Sequence, residues 1–377
     1  MSMRNVVVLG VGMTQFGRFP GTPVPKIGAE AVVFALKDAG IPWKTIPMMY
    51  CAHSMGGIVD GEMVEAEIGH TGIPIINVSN ACTGGNTAVF LAYQAIALGL
   101  YDMVMAMGVD QAPHGPLGQG SPPHPFTVLG VSNMLVKHAQ KMQRAIYEKR
   151  LTLDQIAKVS VKTHNNGCLN PRAQYKLPLK SVEEVHKSRM ICDPLTLYHC
   201  CPTGDGAAAI ILCTEEVARK YTTPPFIRLI GGALATQVFI RGETDNTRDS
   251  TVRAAKKAYP IAGIGPEDVD MVELHDNFTI SELDHYEDLQ LCGEGEAGKL
   301  IDEGATEITG RIPVNMSGGL LAKGHPTSAT GVAQICELTW QLRGQAGERQ
   351  VKDPKVGIAH CAGGDEGHVA SVNFVLK

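Results

Sequence analysis

The feature that most limits the possible folds of this chain is an order of apolar segments that occurs twice. In the first half, strand-like runs alternate with segments of helical periodicity, and the same order restarts after Pro225. The predicted strands of the first half begin near Val6, Pro47, Ile75 and Met103, and its predicted helices begin near Lys26 and Gly84. Alternating strands and helices are typical of an α/β fold. We therefore predict an α/β protein built from two similar halves.

The second half repeats this pattern and adds two closing strands. Its predicted strands begin near Ile227 and Met271, its helices near Asp249, Ile280 and Thr327, and its closing strands near Lys355 and His368. The last of these strands is similar to the apolar run from Gly206 at the end of the first half. This similarity supports a duplication.

The region between the halves has a different character. It opens with proline-rich and glycine-rich turns and then becomes helical and polar. Loops inserted on a rigid scaffold commonly carry substrate contacts. We predict an N-terminal half made of residues 1–110 and 199–224, an inserted loop domain at 111–198, and a C-terminal half at 225–377.

Charge and cysteine usage exclude several classes of function. The formal net charge of -5 argues against nucleic acid as a partner, and no apolar stretch approaches the roughly 20 residues needed to span a membrane. The ten cysteines are scattered and no secretion signal is evident, so we expect reduced thiols and a cytoplasmic location. No pair of Cys-x-x-Cys motifs exists, and we predict no metal site.

Cys82 lies at the predicted junction between a strand and a helix, followed by Gly84 and Gly85. A thiol at a helix N-terminus feels the positive end of the helix dipole, which favours thiolate and is expected to lower its pKa. The glycines would leave room for a ligand. The alternative is a buried structural cysteine, the commonest fate of this residue type. A nucleophilic role is therefore one of two open interpretations.

Two histidines occupy comparable positions. His325 stands directly before Pro326 and a strong helical pattern, where the dipole favours neutral imidazole, which can accept a proton or donate a hydrogen bond. Its alternative is a residue that caps its own helix. His275 ends an apolar strand, where polar groups often form sites in α/β proteins. In its alternative, Asp276 or Thr279 caps the next helix and His275 is a bystander.

A second thiol, Cys361, lies between the closing strands and is followed by Gly363. Because Gly363 has no side chain, its backbone N–H could approach a developing oxyanion. The alternative is a glycine-rich hairpin with a buried cysteine, which is locally the better supported interpretation.

Together these segments resemble the thiolase superfamily, specifically its sterol-carrier-protein-type branch, over nearly the whole chain. The motifs that carry the resemblance begin at Asn80 (Asn-Ala-Cys-Thr-Gly-Gly), Cys200 (Cys-Cys-Pro-Thr-Gly-Asp-Gly), Glu273 (Glu-Leu-His-Asp-Asn-Phe), Ser317 (Ser-Gly-Gly-Leu-Leu-Ala-Lys-Gly-His-Pro) and His360 (His-Cys-Ala-Gly). The resemblance implies a duplicated, five-layered α-β-α-β-α fold with an inserted loop domain. Five motifs in the family's order are more specific than one.

The resemblance also implies a role for each site residue. Cys82 looks like the nucleophile that carries the acyl group, His325 like its base, and Cys361 like the acid/base for the leaving group. His275 would help His325 to bind the thioester oxygen, and the backbone N–H groups of Cys82 and Gly363 would form a second oxyanion hole.

Two positions depart from the family pattern. Asn277 replaces the cysteine of the usual His-Asp-Cys-Phe motif, and Thr327-Ser328 replaces a commoner Leu-Gly pair. Neither change removes a catalytic group, so the substitutions bear on the substrate pocket rather than on acyl transfer. Cys200 and Cys201 match a family segment and are interpreted as structural.

The activity that the resemblance implies is thiolysis of a 3-oxoacyl-CoA, or the reverse Claisen condensation. Coenzyme A would be the co-substrate, with no permanently bound cofactor. The alternatives are retro-aldol cleavage or acyl transfer to another acceptor on the same fold, and a non-catalytic scaffold subunit. Family members usually form dimers or tetramers, and some work beside a small zinc-ribbon and OB-fold protein. Branched, dicarboxylic, aromatic and steroid acyl groups all remain open.

Overall fold

The computed structural model describes residues 3–112, 133–238, 249–364 and 368–377. The strands are β1 (Val6–Met13), β2 (Met49–Ala52), β3 (Ile75–Val78), β4 (Met103–Gln111), β5 (Met190–Cys192), β6 (Leu195–Thr196), β7 (Asp205–Thr214), β8 (Arg228–Thr236), β9 (Met271–Glu273), β10 (Val356–Gly363) and β11 (Val369–Leu376). The helices are α1 (Val24–Ala39), α2 (Asp60–Ile68), α3 (Gly84–Ala97), α4 (Met134–Tyr147), α5 (Leu153–Cys168), α6 (Val182–Lys187), α7 (Glu215–Ala218), α8 (Asp249–Ala262), α9 (Thr279–Asp288), α10 (Ala297–Asp302) and α11 (Thr327–Arg343).

One mixed sheet runs through both halves. Its strand order is β3-β2-β4-β7-β1-β8-β11-β10-β9, and β5 pairs with β6 in a separate hairpin. The halves join where β1 pairs antiparallel with β8 over a short register that matches Val6 with Leu229. Most strands read as continuous apolar runs and are buried, as β1 is along its whole length, because helices cover both faces of the sheet.

The helices form three layers around the strands. Helix α1 packs on β1 and β7, and α8 packs on β8 and β11. Helices α3 and α11 pack on each other and contact strands of both halves, so they lie between the two parts of the sheet. Hydrophobic clusters fill the space around this central pair and behind each half. The predicted α-β-α-β-α architecture is confirmed.

The two halves follow the same path. Strands β2, β4, β7 and β1 of the first half correspond to β9, β10, β11 and β8 of the second, and α3 corresponds to α11. In the place of a strand equivalent to β3, the second half has an isolated parallel bridge between Val272 and Val314. Because α3 and α11 are equivalent, Cys82 and His325 stand just before equivalent helices.

The central helices approach each other closely through glycines. A Cβ atom on Gly85 of α3 would lie 2.2 Å from the carbonyl oxygen of Ser328, and one on Gly331 of α11 would lie 2.4 Å from the backbone nitrogen of Asn86. Neither position can hold a side chain without moving backbone. This reciprocal contact brings the first turns of the two helices, and the residues that precede them, together.

The region predicted as an insertion contributes α4, α5, α6 and the β5–β6 hairpin to the described chain. Helix α5 begins with a capping box between Thr152 and Gln155, and it packs on the segment that precedes His325. The proline-rich start of the insertion lies in residues 113–132, outside the described residues. The predicted boundaries stay a prediction.

Several elements differ from the sequence prediction. Helix α2 was not predicted, because its nine residues are mostly polar or small and show little helical periodicity of apolar residues. Strands β1, β4 and β8 extend further than predicted, since their glycines continue the ladder instead of ending it. Within the described ranges, no helix combines the length and apolar character required to cross a membrane.

Candidate active site

Cys82 stands on a tight turn that enters α3. Ala81 adopts a left-handed backbone conformation with φ of 46°, and the N–H groups of Thr83 and Gly84 donate to the carbonyl oxygens of Asn80 and Ala81 at 3.1 and 3.0 Å. A non-glycine residue in this conformation is strained and is held by its surroundings. The turn leaves Cys82 only partly buried, two residues before the helix begins.

His325 is buried and its tautomer follows from its neighbours. Its Nδ1 lies 2.8 Å from the hydroxyl oxygen of Thr330, and that hydroxyl donates its proton to the carbonyl oxygen of Pro326 at 2.9 Å. Thr330 therefore accepts from Nδ1–H, and Nε2 keeps its lone pair. Burial, and then the charge of Lys323, lowers the pKa of His325 to about 3. The imidazole is neutral near pH 7 and can accept a proton at Nε2.

His275 is brought against His325. The two rings meet edge to face, with centroids 5.1 Å apart. One ring nitrogen of each histidine and the sulfur of Cys82 all lie within 4.8 Å of one another. Burial, followed by the neighbouring His325, holds the pKa of His275 well below its usual range. Three residues separated by up to about 240 positions in sequence therefore form one cluster.

The alternative in which Asp276 or Thr279 caps α9 is wrong. The helix begins after Phe278, with no capping hydrogen bond from the side chain at its N-cap, and Asp276 instead accepts from the backbone N–H groups of Leu320 and Leu321 at 2.6 and 3.5 Å. Those residues belong to a π-helical turn, Gly319–Lys323, that leads to His325. Asp276 thus ties the segment that carries His275 to the segment that carries His325.

Cys361 lies on β10 and is fully buried. Its thiol donates to the side-chain oxygen of Gln334 at 3.4 Å, while the Gln334 amide donates to the carbonyl oxygen of His360 at 2.8 Å. Burial raises the pKa of the Cys361 thiol, and the nearby Cys82 raises it further. The thiol is therefore protonated near neutral pH and close to Cys82.

Gly363 lies directly against the Cys82 turn. A Cβ atom at this position would be 3.0 Å from the backbone nitrogen of Cys82 and 3.1 Å from that of Thr83. Only a residue without a side chain fits such an approach comfortably. The backbone of β10 is consequently adjacent to the backbone nitrogen of Cys82.

A cavity of about 430 Å³ opens beside the cluster. Residues from both halves and from the insertion line it: Ser54, Met55, Ser79, Ala81, Cys82, Asn133, Met134, Leu135, Cys200, Cys201, Thr203, Asn277, Phe278, His325, Thr327 and Gly364. The wall is mainly apolar and contains the nucleophile candidate, which is the usual character of a small-molecule site.

A buried ion pair supports the segments that carry His275 and His325. Lys162 of α5 pairs with Glu282 of α9 at 2.5 Å, and both side chains are fully buried. Glu282 also accepts from Asn315 at 2.8 Å, and Asn315 accepts from the backbone N–H of Leu274 at 2.9 Å. This network fixes the segment before His275 relative to the segment before His325.

A second pair completes this support. Glu273 accepts from the backbone N–H and the hydroxyl of Ser317 at 2.9 and 2.5 Å, and Lys323 lies 3.4 Å from the same carboxylate. Sequence reasoning missed Glu273, Glu282, Lys162 and Gln334. A signal was available only for Glu273, a carboxylate that ends an otherwise apolar strand and therefore requires a buried partner.

The Cys82, His275 and His325 atoms also form a set that could ligate a transition-metal ion, since thiolate and imidazole are typical zinc ligands. The acyl-transfer reaction predicted for these three residues needs no metal ion. The absence of a metal stays a prediction. The same applies to the lack of a permanently bound cofactor.

Two family models match this chain. The family model described as "Thiolase, N-terminal domain" matches residues 6–216, and the one described as "Thiolase C-terminal domain-like" matches residues 232–373. This chain belongs to the thiolase family. The relationship predicted from the five sequence motifs is confirmed.

Curated relatives cover almost the whole chain. An acetyl-CoA acetyltransferase of Methanothermobacter thermautotrophicus is 39% identical over 98% of this chain and 98% of its own length. Sterol carrier protein 2 of Bos taurus is 37% identical over 96% of this chain and 70% of its own length. Benzoylsuccinyl-CoA thiolase subunit BbsB of Thauera aromatica is 37% identical over 96% of this chain and 95% of its own length. Their names agree with the predicted branch of the family.

Solved structures share the fold. The structure described as "Ltp2-ChsH2(DUF35) aldolase" superimposes with a TM-score of 0.86 at 23% identity, covering 99% of this thiolase-family chain and 98% of that one. Human mitochondrial 3-ketoacyl-CoA thiolase gives a TM-score of 0.77 at 17% identity, covering 100% of both chains. At these identities the likeness shows the fold alone.

Proposed function

We propose that this protein is a thiolase-type acyltransferase that cleaves a 3-oxoacyl-CoA with coenzyme A, or runs the reverse condensation, through an acyl group on Cys82. The observation that carries the proposal is the cluster of the Cys82 sulfur with one ring nitrogen each of His275 and His325 within 4.8 Å. The cluster opens on a largely apolar cavity. The family and the names of the relatives support the same reaction class.

In the first step, His325 takes the Cys82 proton at Nε2, the nitrogen that the Thr330 hydrogen bond leaves with a lone pair. The thiolate then attacks the carbonyl carbon at the third position of the acyl chain. The resulting imidazolium of His325, together with His275, donates to oxygens of the bound thioester, where a buried site makes such donors effective.

Carbon–carbon cleavage releases a carbanion that needs a proton. Cys361 is the proposed donor, because its thiol is protonated and lies near Cys82. The bond between the second and third carbons breaks, the Cys361 proton moves to the carbanion, and acetyl-CoA or its analogue leaves. The thiol of coenzyme A then returns a proton to Cys361 and its sulfur attacks the acyl group. The bond between the acyl group and Cys82 breaks, and the Cys82 sulfur recovers its proton from His325. Protons and bonds balance over the cycle.

The second oxyanion hole is assigned to the backbone N–H groups of Cys82 and Gly363. The support is the close approach of Gly363 to the Cys82 nitrogen. Two fixed backbone donors beside the nucleophile would stabilise the oxygen of the tetrahedral intermediate in both half-reactions.

Intact-protein mass spectrometry tests the mechanism. Mixing the protein with a panel of saturated acyl-CoAs should add an acyl mass that is absent from Cys82→Ala. The matched variant Cys361→Ala should still form the adduct, more slowly, because a coenzyme A thiolate can leave without the Cys361 proton. It should lose thiolysis of 3-oxoacyl-CoAs, because the much more basic carbanion requires that proton. An adduct that survives Cys82→Ala, or no adduct with any donor, would contradict the proposal.

The proposal extends to assembly and location. We propose a homodimer or tetramer in the cytoplasm that can bind a small zinc-ribbon and OB-fold protein. The support for such a partner is a structural neighbour described as "Ltp2-ChsH2(DUF35) aldolase". Light scattering after size-exclusion chromatography would count the subunits. Purification of the tagged protein from its native cells would retain a partner of this kind if one is bound.

A further inference from the structure

The two departures from the family motifs, Asn277 and Thr327, line the same cavity. They come from different elements of the C-terminal half: Asn277 follows β9, and Thr327 is the first residue of α11. Two polar substitutions that converge on one largely apolar cavity suggest a shared ligand.

Thr327 carries a hydroxyl that nothing satisfies in the described part of the chain. The residue is only 2% exposed, and its Oγ1 has no hydrogen-bond partner. A buried hydroxyl without a partner is unfavourable, because it has lost its hydrogen bonds to water and gained none in return. A bound molecule with a suitably placed oxygen would remove this penalty.

Asn277 presents a donor to the same space. Its side-chain oxygen accepts from the backbone N–H of Phe278 at 3.1 Å, which fixes the orientation of the carboxamide. No hydrogen bond from its Nδ2 to another described residue occurs. The NH₂ group is therefore the unused end of a nearly buried side chain that borders the cavity.

The described lining offers no countercharge to a charged ligand. Among the described residues around the cavity there is no lysine or arginine, and His325 is neutral near pH 7 because burial lowers its pKa to about 3. A carboxylate here would lose its hydration without gaining a countercharge. An uncharged hydroxyl or carbonyl needs only the two available groups.

We propose that Asn277 and Thr327 form a polar subsite within the acyl cavity and bind an uncharged oxygen substituent, a hydroxyl or a carbonyl, carried by the acyl chain beyond the reacting carbons. This inference rests on the proposed function, because it assumes that the cavity holds an acyl-CoA. It selects oxygenated neutral chains over plain hydrocarbon chains and over dicarboxylic chains.

Calorimetric binding to Cys82→Ala protein tests the subsite without any chemical step. The probes are octanoyl-CoA, its derivatives with one hydroxyl on each of the last three carbons, and the derivative with a terminal carboxylate. At least one hydroxylated probe should bind about threefold to tenfold more tightly than octanoyl-CoA. The carboxylate probe should bind more weakly than octanoyl-CoA.

Added substitutions locate the effect. Thr327→Val and Asn277→Leu should each weaken the preferred hydroxylated probe by about tenfold and leave octanoyl-CoA unchanged or tighter. Thr327→Ser should keep the preference, because it retains the hydroxyl. Thr279→Val is the matched control, since it removes another buried hydroxyl without a partner that does not line the cavity.

Three results would overturn the subsite: no hydroxylated probe binds more tightly than octanoyl-CoA, the variants weaken both classes of probe equally, or the carboxylate probe binds best. Equal weakening would show that the two residues contact the thioester itself. Failure of the proposed function would be seen differently, as the lack of an acyl adduct on Cys82 in the unsubstituted protein. The binding comparison tests the subsite whether or not that adduct forms.

Discussion

The turn that carries Cys82 and the segment that carries His325 enter equivalent helices, yet they are held in different ways. Short-range backbone hydrogen bonds and close glycine contacts hold Cys82. Buried carboxylates on β9, on the loop after it and on α9, together with Lys162 of α5, hold the segment before His325. The difference teaches that the proposed nucleophile can remain accessible to substrate because its support is backbone, whereas the proposed base is held in place by buried side chains.

The largest effect expected from this comparison is on catalysis when Cys82, the more exposed of the two residues, is changed. Cys82→Ala should lower kcat/KM for thiolysis by roughly 10⁴-fold or more, because the covalent intermediate cannot form. Stability should change little, since the side chain is only partly buried. Loss of thioester absorbance measures the rate, and urea unfolding measures stability. Retained turnover would remove Cys82 from the mechanism.

A large loss of stability is expected instead where buried side chains support the segment before His325. Lys162→Met leaves the Glu282 carboxylate buried without its cation and should lower the free energy of unfolding by about 3–5 kcal/mol. Lys158→Met, which breaks a half-exposed pair with Asp302, is the control and should change it by less than about 1 kcal/mol. Similar losses in both variants would show that burial of the first pair does not matter.

Lowering the pH should destabilise the fold through its buried histidines. Burial lowers the pKa of His325 and of His138 to about 3, so below about pH 6.5 the unfolded chain binds protons that the folded chain does not. Stability is present above that pH and falls as the pH drops towards 3. Each such histidine should contribute a loss of about 2 kcal/mol between pH 7 and pH 5.

Denaturant titrations of a variant at both pH values check this expectation. His138→Gln should show a smaller difference between pH 7 and pH 5 than the unsubstituted protein, by about 2 kcal/mol. Ser160→Ala, which removes a buried side chain that does not titrate, is the control and should keep the full difference. An unchanged difference in His138→Gln would mean that this histidine does not resist protonation in the fold.

The smallest effect concerns the tautomer of the base. Thr330→Val removes the hydroxyl that accepts from Nδ1–H of His325, so the proton can occupy Nε2 and block proton transfer. We expect kcat to fall by about tenfold with little change in KM, and the Thr330→Ser variant to recover the rate. A change confined to KM would indicate a role in binding instead.

Much of the fold was predictable because its signals are local. The duplicated order of strands and helices follows from apolar periodicity, and α11 begins at Thr327 as predicted because Pro326 precedes a long helical pattern. The four catalytic candidates were recognised from motifs in the family's order. Helix α2 and the π-helical turn Gly319–Lys323 were missed, since neither has a distinctive periodicity.

The supporting residues were not predictable in the same way. Glu282 and Lys162 are ordinary surface residue types on two polar helices, and nothing local shows that they meet in a fully buried pair. Gln334 looks like any polar helical residue until Cys361 of a distant strand donates to it. Partners separated by this much sequence are selected by helix and strand packing, not by local preference.

The sequence by itself determined which residues are available for acyl transfer and that two similar halves carry them. Only the tertiary structure decided that the Cys82 turn meets His325 and His275, because Gly85 and Gly331 let α3 and α11 approach until their first turns touch. It also decided that Asn277 and Thr327 border one cavity. The physical reason is that a backbone contact between helices has no signature in either helix alone.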